Sequence, residues 1–187
     1  NYDVVIVGSG AGACVLALQL GQSGKRVLVI EKSSGPPRHG ADVIKPPALK
    51  ILDRAQILPV LYSREARKRT ELDVFHDGMK IQEVDYGDDF FLLTPHRVLV
   101  SALVDKIFRT QGVKIIFNTS IASVQRNGEA VVSVTTTSGD VIRAPVFVGA
   151  DGASSLMRDF AGIEVQPHVY SQELYYRMCP IQPSVEQ

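Results

Sequence analysis

Two groups of residues in this chain have types and spacings suited to holding a phosphate-bearing ligand, and a third makes a sharp glycine-flanked turn far along the chain. The first is "GSGAGA", Gly8 to Ala13, set between a β-branched run and an apolar stretch with helical spacing. Gly8 permits a tight turn, Gly10 leaves no side chain between the main chain and a pyrophosphate, and Ala13 is small enough for helix and strand to pack closely. A ligand's negative charge would sit at the helix N-terminus, where free N–H groups and the macrodipole favour it. The second group is the acid Glu31, which closes the strand "RVLVIE" and can accept hydrogen bonds from an adenosine ribose while disfavouring a 2'-phosphate. The third is "VFVGADGASSLMRD", residues 146–159, an apolar strand that ends in an acid between glycines.

These groups need elements to position them. "YDVVIV" at Tyr2 to Val7 reads as a strand buried on both faces, followed by the glycine turn, a helix ending at Gly24, and the strand that ends in Glu31. Strand before, helix after and acid at the second strand's end favour a dinucleotide site over a merely structural turn. NAD and FAD share this unit, so by itself it leaves the cofactor open. Residues 33–47 carry four prolines and are expected to be loop for much of their length. "ALKILDRAQIL" and "LYSREARKRTE" predict helices, the basic cluster Arg64, Arg67, Lys68 and Arg69 lying on a solvated face. "ELDVFHDGMKIQEVDY" alternates around Asp77-Gly78 as a hairpin does, and "FFLL" makes another short strand. Thr94 is expected to cap a helix that starts at Pro95 and closes at Gly112. After the strand "VKIIF", three short strands (121–125, 130–137 and 141–144) form a meander with turns at Asn127-Gly128 and Ser138-Gly139-Asp140. A meander in place of a crossover helix tilts the cofactor towards FAD.

Composition narrows the function classes. Twenty basic residues balance twenty acidic ones, so no overall field favours a nucleic acid or an anionic membrane. Cys14 and Cys179 suit a reducing compartment better than a disulfide scaffold. No apolar run reaches bilayer length and no basic, apolar leader precedes Tyr2, which points to a soluble cytoplasmic protein whose natural start was trimmed. His39, His76, His96 and His168 lack metal-ligand spacing and read as loop or surface residues, so no metal is expected. Cys14 reads as a packed core thiol, and Tyr170, Tyr175 and Tyr176 as the start of a further sheet.

"GSGAGA", Glu31, "HR" followed by Leu99 and Leu103, and "GADGASSLMR" together resemble the single-component FAD-dependent aromatic hydroxylases. These class A flavoprotein monooxygenases include para-hydroxybenzoate hydroxylase and the ubiquinone-pathway hydroxylases. "GADVIKP" and "ELDVFHDG" are most similar to the branch with an alkylquinolone-pathway hydroxylase. The resemblance implies an α/β fold: an FAD-binding Rossmann-type parallel sheet with a β-meander crossover and part of an antiparallel substrate-domain sheet. The implied divisions are FAD-binding residues 1–70 and 94–164, substrate-domain strands in 71–93, and the start of further substrate-domain strands in 165–187. It implies that Gly8, Gly10, Gly12 and Ala13 hold the pyrophosphate and that Glu31 and Lys32 meet the adenosine. It also implies that Arg38 and Arg97 approach the cofactor, that Ile121 meets the adenine through its backbone, and that Asp151 and Gly152 lie against ribose and pyrophosphate. Ser155 and Arg158 would fasten the loop that follows.

The implied reaction inserts oxygen from O2 into an electron-rich aromatic ring, with NAD(P)H as reductant, the hard chemistry belonging to FAD. The protein would exclude water and orient the ring, and no catalytic residue is assigned. The family's Gly-Asp-Ala stretch followed by His and Pro does not occur here, so these residues alone are expected to hydroxylate nothing. An FAD-dependent reductase or dehydrogenase, or a non-catalytic FAD-binding fragment, is the alternative.

Overall fold

The computed structural model describes residues 1–35, 41–166 and 168–171. In chain order its elements are β1 (Val4–Val7), α1 (Ala11–Gln22), β2 (Val27–Ile30), β3 (Ala41–Ile44), α2 (Pro46–Arg54), α3 (Leu58–Tyr62) and β4 (Arg67–Arg69). They continue as β5 (Glu71–His76), β6 (Met79–Asp85), β7 (Phe91–Pro95), α4 (His96–Phe108), β8 (Val113–Ile116), β9 (Ile121–Asn127), β10 (Ala130–Thr136), β11 (Val141–Arg143), β12 (Val146–Gly149) and α5 (Leu156–Phe160).

The centre is a four-stranded parallel sheet in the order β12-β1-β2-β8. Its inner strands, β1 and β2, are buried apolar runs rich in β-branched residues because both of their faces are covered. Val4, Ile6, Val27 and Val29 pack against helical residues that include Ala17, Leu18, Leu99, Leu103 and Ile107. Val5, Val7, Leu28 and Ile30 face the other way, onto Ile121 and Val134 of the meander and Met157 of α5. The antiparallel meander β11-β10-β9 therefore does what a crossover helix does elsewhere: it seals the second face of the sheet. Each of these fully buried side chains contributes roughly 1.5–3 kcal/mol. Helix α1 lies so close to β8 that a Cβ at Gly21 would stand 2.3 Å from Val113 Cγ2.

Register fixes where the site can be. Val7 pairs with Ile30 on one side and with Gly149 on the other, so β1, β2 and β12 end level. The chain leaves β1 towards β2 and returns on the opposite flank at β12, which makes this end of the sheet a topological switch point, where open α/β sheets bind ligands.

Four local expectations are corrected. Residues 33–47 are not loop at their end, because Ala41–Ile44 pairs antiparallel with β7 and Pro46 opens α2. The segment 61–71 is not a helix. Leu58–Tyr62 makes a short helix, and Arg67–Arg69 pairs with Phe91–Leu93. Tertiary contacts override the helix-friendly composition here: Ala66 is buried, and Lys68 Nζ lies 5.0 Å from the Tyr62 ring centre and 4.4 Å from that of Phe90. Thr94 is the buried penultimate residue of β7, and extended Pro95 is the cap, so α4 begins one residue later than expected. A residue before proline is pushed towards extended backbone, which keeps Thr94 in the strand. The first meander turn is Gly128-Glu129, since Asn127 still pairs with Ala130.

Asp77 and Gly78 both take positive φ, as the Asp-Gly hairpin between β5 and β6 requires. Tyr170 is exposed and lies in no strand, while Tyr175, Tyr176 and Cys179 lie outside the described residues. Among the described residues no helix is long and apolar enough to cross a membrane.

Candidate cofactor site

Two main-chain turns meet at the carboxyl end of the sheet. The first leaves β1 through Gly8, whose N–H donates to the Ile30 carbonyl at 2.8 Å, and enters α1 at Gly10. The second leaves β12 through Ala150, whose N–H donates to the Val7 carbonyl at 2.8 Å. They touch at Gly8, which has φ +104°. A Cβ there would lie 2.3 Å from the Ala150 carbonyl oxygen and 2.9 Å from Asp151 Cα. Gly8 is thus required by the second turn as well as by its own bend. Gly10 and Gly12 differ, since a Cβ on either would meet nothing within 4 Å. The N-terminus of α1 has no side-chain cap, and the N–H groups of its first turn have no acceptor within the helix. Between the turns lies a cavity of about 200 Å³.

Glu31 stands at the cavity's edge with both carboxylate oxygens engaged. Oε2 accepts from the Ser9 N–H at 2.9 Å and the Ser9 hydroxyl at 2.6 Å, and Oε1 accepts from the Ser33 N–H at 2.8 Å and hydroxyl at 2.7 Å. Partial burial pushes its pKa up, but these four donors outweigh burial and hold it below the ordinary carboxylate value. Asp151 is balanced in the same way, desolvation opposed by the Ser155 hydroxyl at 2.5 Å and the Met157 N–H at 3.1 Å, with the net shift downward. Ser155 in turn caps α5 by accepting the Arg158 N–H, and the Arg158 guanidinium donates to the Ala153 carbonyl at 2.6 Å. Cys14 is fully buried with its thiol 3.2 Å from the Ser9 carbonyl. Desolvation, and then the charge of Glu31, push its pKa up to about 12, so it is a packed, protonated thiol.

The structure gathers Gly8, Gly10, Glu31, Lys32, Ile121, Asp151 and Gly152 around this one cavity. Gly12 and Ala13 form the first turn of α1, Ala13 buried against the core. Arg97 is not among the cavity's lining residues; its guanidinium forks onto Glu65 at 2.7 and 2.8 Å. Arg38 and His39 lie outside the described residues. His76 and His168 are exposed, but His96 is no loop residue: it opens α4, half-buried, with Nδ1 2.7 Å from Asp42 Oδ2. Sequence reasoning missed Ser9, Ser33, Thr119 and Ser120. The signal for Ser9 and Ser33 was present, as hydroxyls in the glycine turn and two residues beyond Glu31.

Residues 1–178 match the family described as FAD binding domain. The chain belongs to that FAD-binding family. PqsL of Pseudomonas aeruginosa, a probable FAD-dependent monooxygenase also solved in complex with 2-aminobenzoylacetate, superposes with a TM-score of 0.83 and is 35% identical. That match covers 90% of this chain and 48% of PqsL. Dialkyldecalin synthase of Streptomyces rugosporus is 29% identical over 86% of this chain and 34% of its own length. The 6-methylpretetramide 4-monooxygenase of Streptomyces rimosus is 28% identical over 87% of this chain and 41% of its own length. The chain thus spans less than half the length of these relatives.

The residues present fit FAD. An uncapped helix N-terminus suits a diphosphate, the open space over Gly10 and Gly12 lets it approach the main chain, and ionised Glu31 beside the cavity suits a ribose diol.

Proposed function

We propose that this chain is the FAD-holding part of a monooxygenase that hydroxylates an aromatic or quinolone-like small molecule, using O2 and NAD(P)H. The observation that carries the reading is the contact of the two turns at Gly8, which leaves a cavity bounded by an uncapped helix end and an ionised acid. The 35% identity to PqsL, solved with an aromatic ligand, supports the substrate class.

In this reading the N–H groups over Gly10, Gly12 and Ala13 take the diphosphate, and Glu31 and Lys32 take the adenosine ribose. The Ile121 backbone meets the adenine, while Asp151 and Gly152 press the second turn onto the cofactor. Arg97 releases Glu65 to reach the cofactor, and Arg38 also approaches it. Bound FAD supplies the redox chemistry; the whole protein holds it, excludes water and orients the aromatic ring. Residues 1–70 and 94–164 form the FAD-binding part, with 71–93 and 165–187 contributing to a substrate domain. The protein works in the cytoplasm, as a metal-free enzyme with no nucleic-acid partner.

The test uses the full-length protein that carries this chain. It should purify yellow with one FAD and consume O2 together with NADH or NADPH when offered aminoaryl or quinolone substrates. Tight FAD with no O2 uptake on any aromatic substrate would reject hydroxylation and leave a non-catalytic or reductase-type FAD protein.

A further inference from the structure

A carboxylate offers about four acceptor positions. On Glu31 all of them are taken, by one N–H and one hydroxyl from each of Ser9 and Ser33. A ribose diol arriving at this acid must displace a donor. The two N–H groups belong to ordered main chain and stay, so the choice lies between the hydroxyls.

They are not equivalent. Ser9 is 3% exposed, and among the described residues Glu31 is its hydroxyl's sole acceptor, so letting go would strand a buried donor. Ser33 is exposed, and its Oγ also lies 2.8 Å from the Gly35 carbonyl oxygen. Its hydrogen can turn from the carboxylate to that carbonyl without losing a partner.

We propose that Ser33 guards Oε1 of Glu31 and yields it to a ribose hydroxyl by turning to Gly35, while Ser9 keeps Oε2 locked to the glycine turn. Ser33 is then a specificity-determining residue for nucleotide binding. The proposal rests on the reading of this cavity as the adenosine end of the FAD site. Its cost is the exchange of a bond to a charged acceptor for one to a neutral carbonyl, about half as strong. The ligand bears that cost only if it carries a diol.

The experiment titrates the full chain, freed of flavin, with ADP and with 2',3'-dideoxyadenosine diphosphate, comparing the unmodified protein, Ser33→Ala and Ser33→Thr. Ser33→Ala should bind ADP roughly three- to tenfold tighter, with dideoxy binding unchanged. Ser33→Thr keeps the hydroxyl and should match the unmodified protein. ADP binding that is unchanged or weaker in Ser33→Ala, or an equal shift for both nucleotides, overturns the serine proposal alone. If the unmodified chain binds neither nucleotide, the site reading falls and the serine proposal falls with it.

Discussion

The two glycine turns are built on opposite plans. The turn after β1 leaves polar groups unanswered: α1 has no capping side chain, and the space over Gly10 and Gly12 is open. The turn after β12 answers its own, with the Asp151 carboxylate bonded to the Ser155 hydroxyl and the Met157 N–H, and Ser155 bonded to the Arg158 N–H. Similar composition thus serves different ends. Glycine at positions 10 and 12 faces open space, whereas glycine at 8 and 149 makes room for the protein, a Cβ on Gly149 meeting Met157 Cβ at 2.7 Å. Asp151 is held ionised by its own loop and shapes the wall that Gly8 leans on.

Substitution can break this contrast. The largest effect is expected from Gly8→Ala, where a Cβ would collide with main chain that cannot swing aside, at a φ of +104°. Thermal unfolding should register a loss of about 3 kcal/mol or more, together with FAD binding. An unchanged melting temperature would mean that the turns are not in contact. Gly10→Ala should separate the two properties, because its φ of −59° suits alanine and its surroundings are empty. The melting temperature should move by no more than about 2 °C, while FAD affinity falls at least about tenfold, or ~1.4 kcal/mol.

Asp151→Ala should do the reverse, costing about 1–2 kcal/mol of stability through the lost helix-end contacts, with a smaller change in affinity. A large affinity loss with unaltered stability would recast the second turn as a ligand device. The smallest effect is acid sensitivity. Glu31 and Asp151 both have folded pKa values below their ordinary 4.5 and 3.8, so their contribution is complete above those values and is lost as pH falls through the folded ones. Half-buried Asp3, held at about 2 by the Arg26 side chain, should lose its contribution over the same acid range without touching either turn. Urea unfolding between pH 7 and 2 should therefore show the contribution of these carboxylates falling below about pH 5, and Glu31→Gln should flatten part of that fall.

The contrast also separates what could be read in the sequence from what could not. The first turn was legible because its strand, glycines and helix are neighbours in sequence, and the acid closes the very next strand. For the second turn the residues pointed to a sharp bend; its place beside the first rested on family resemblance, because the reason for it is the pairing of Val7 with Gly149 across most of the chain. β4 was misread for the same kind of reason. "RKR" carries no strand signal, and becomes one only when β7 offers an edge and Tyr62 and Phe90 shelter Lys68. The Glu31 serines escaped notice because a hydroxyl advertises nothing until its acceptor is in place.

The pairing of Val4 with Val146 also sets a timetable. A ribosome releases β1 with its first neighbour almost at once, yet must add residues for about 6–24 s more before the second neighbour exists. Until then one flank of β1 is bare and half the wall of the cavity between the turns has not been made. Flavin capture is therefore a late event in biosynthesis, and the strand that finishes the sheet is also the one that readies the protein for its cofactor.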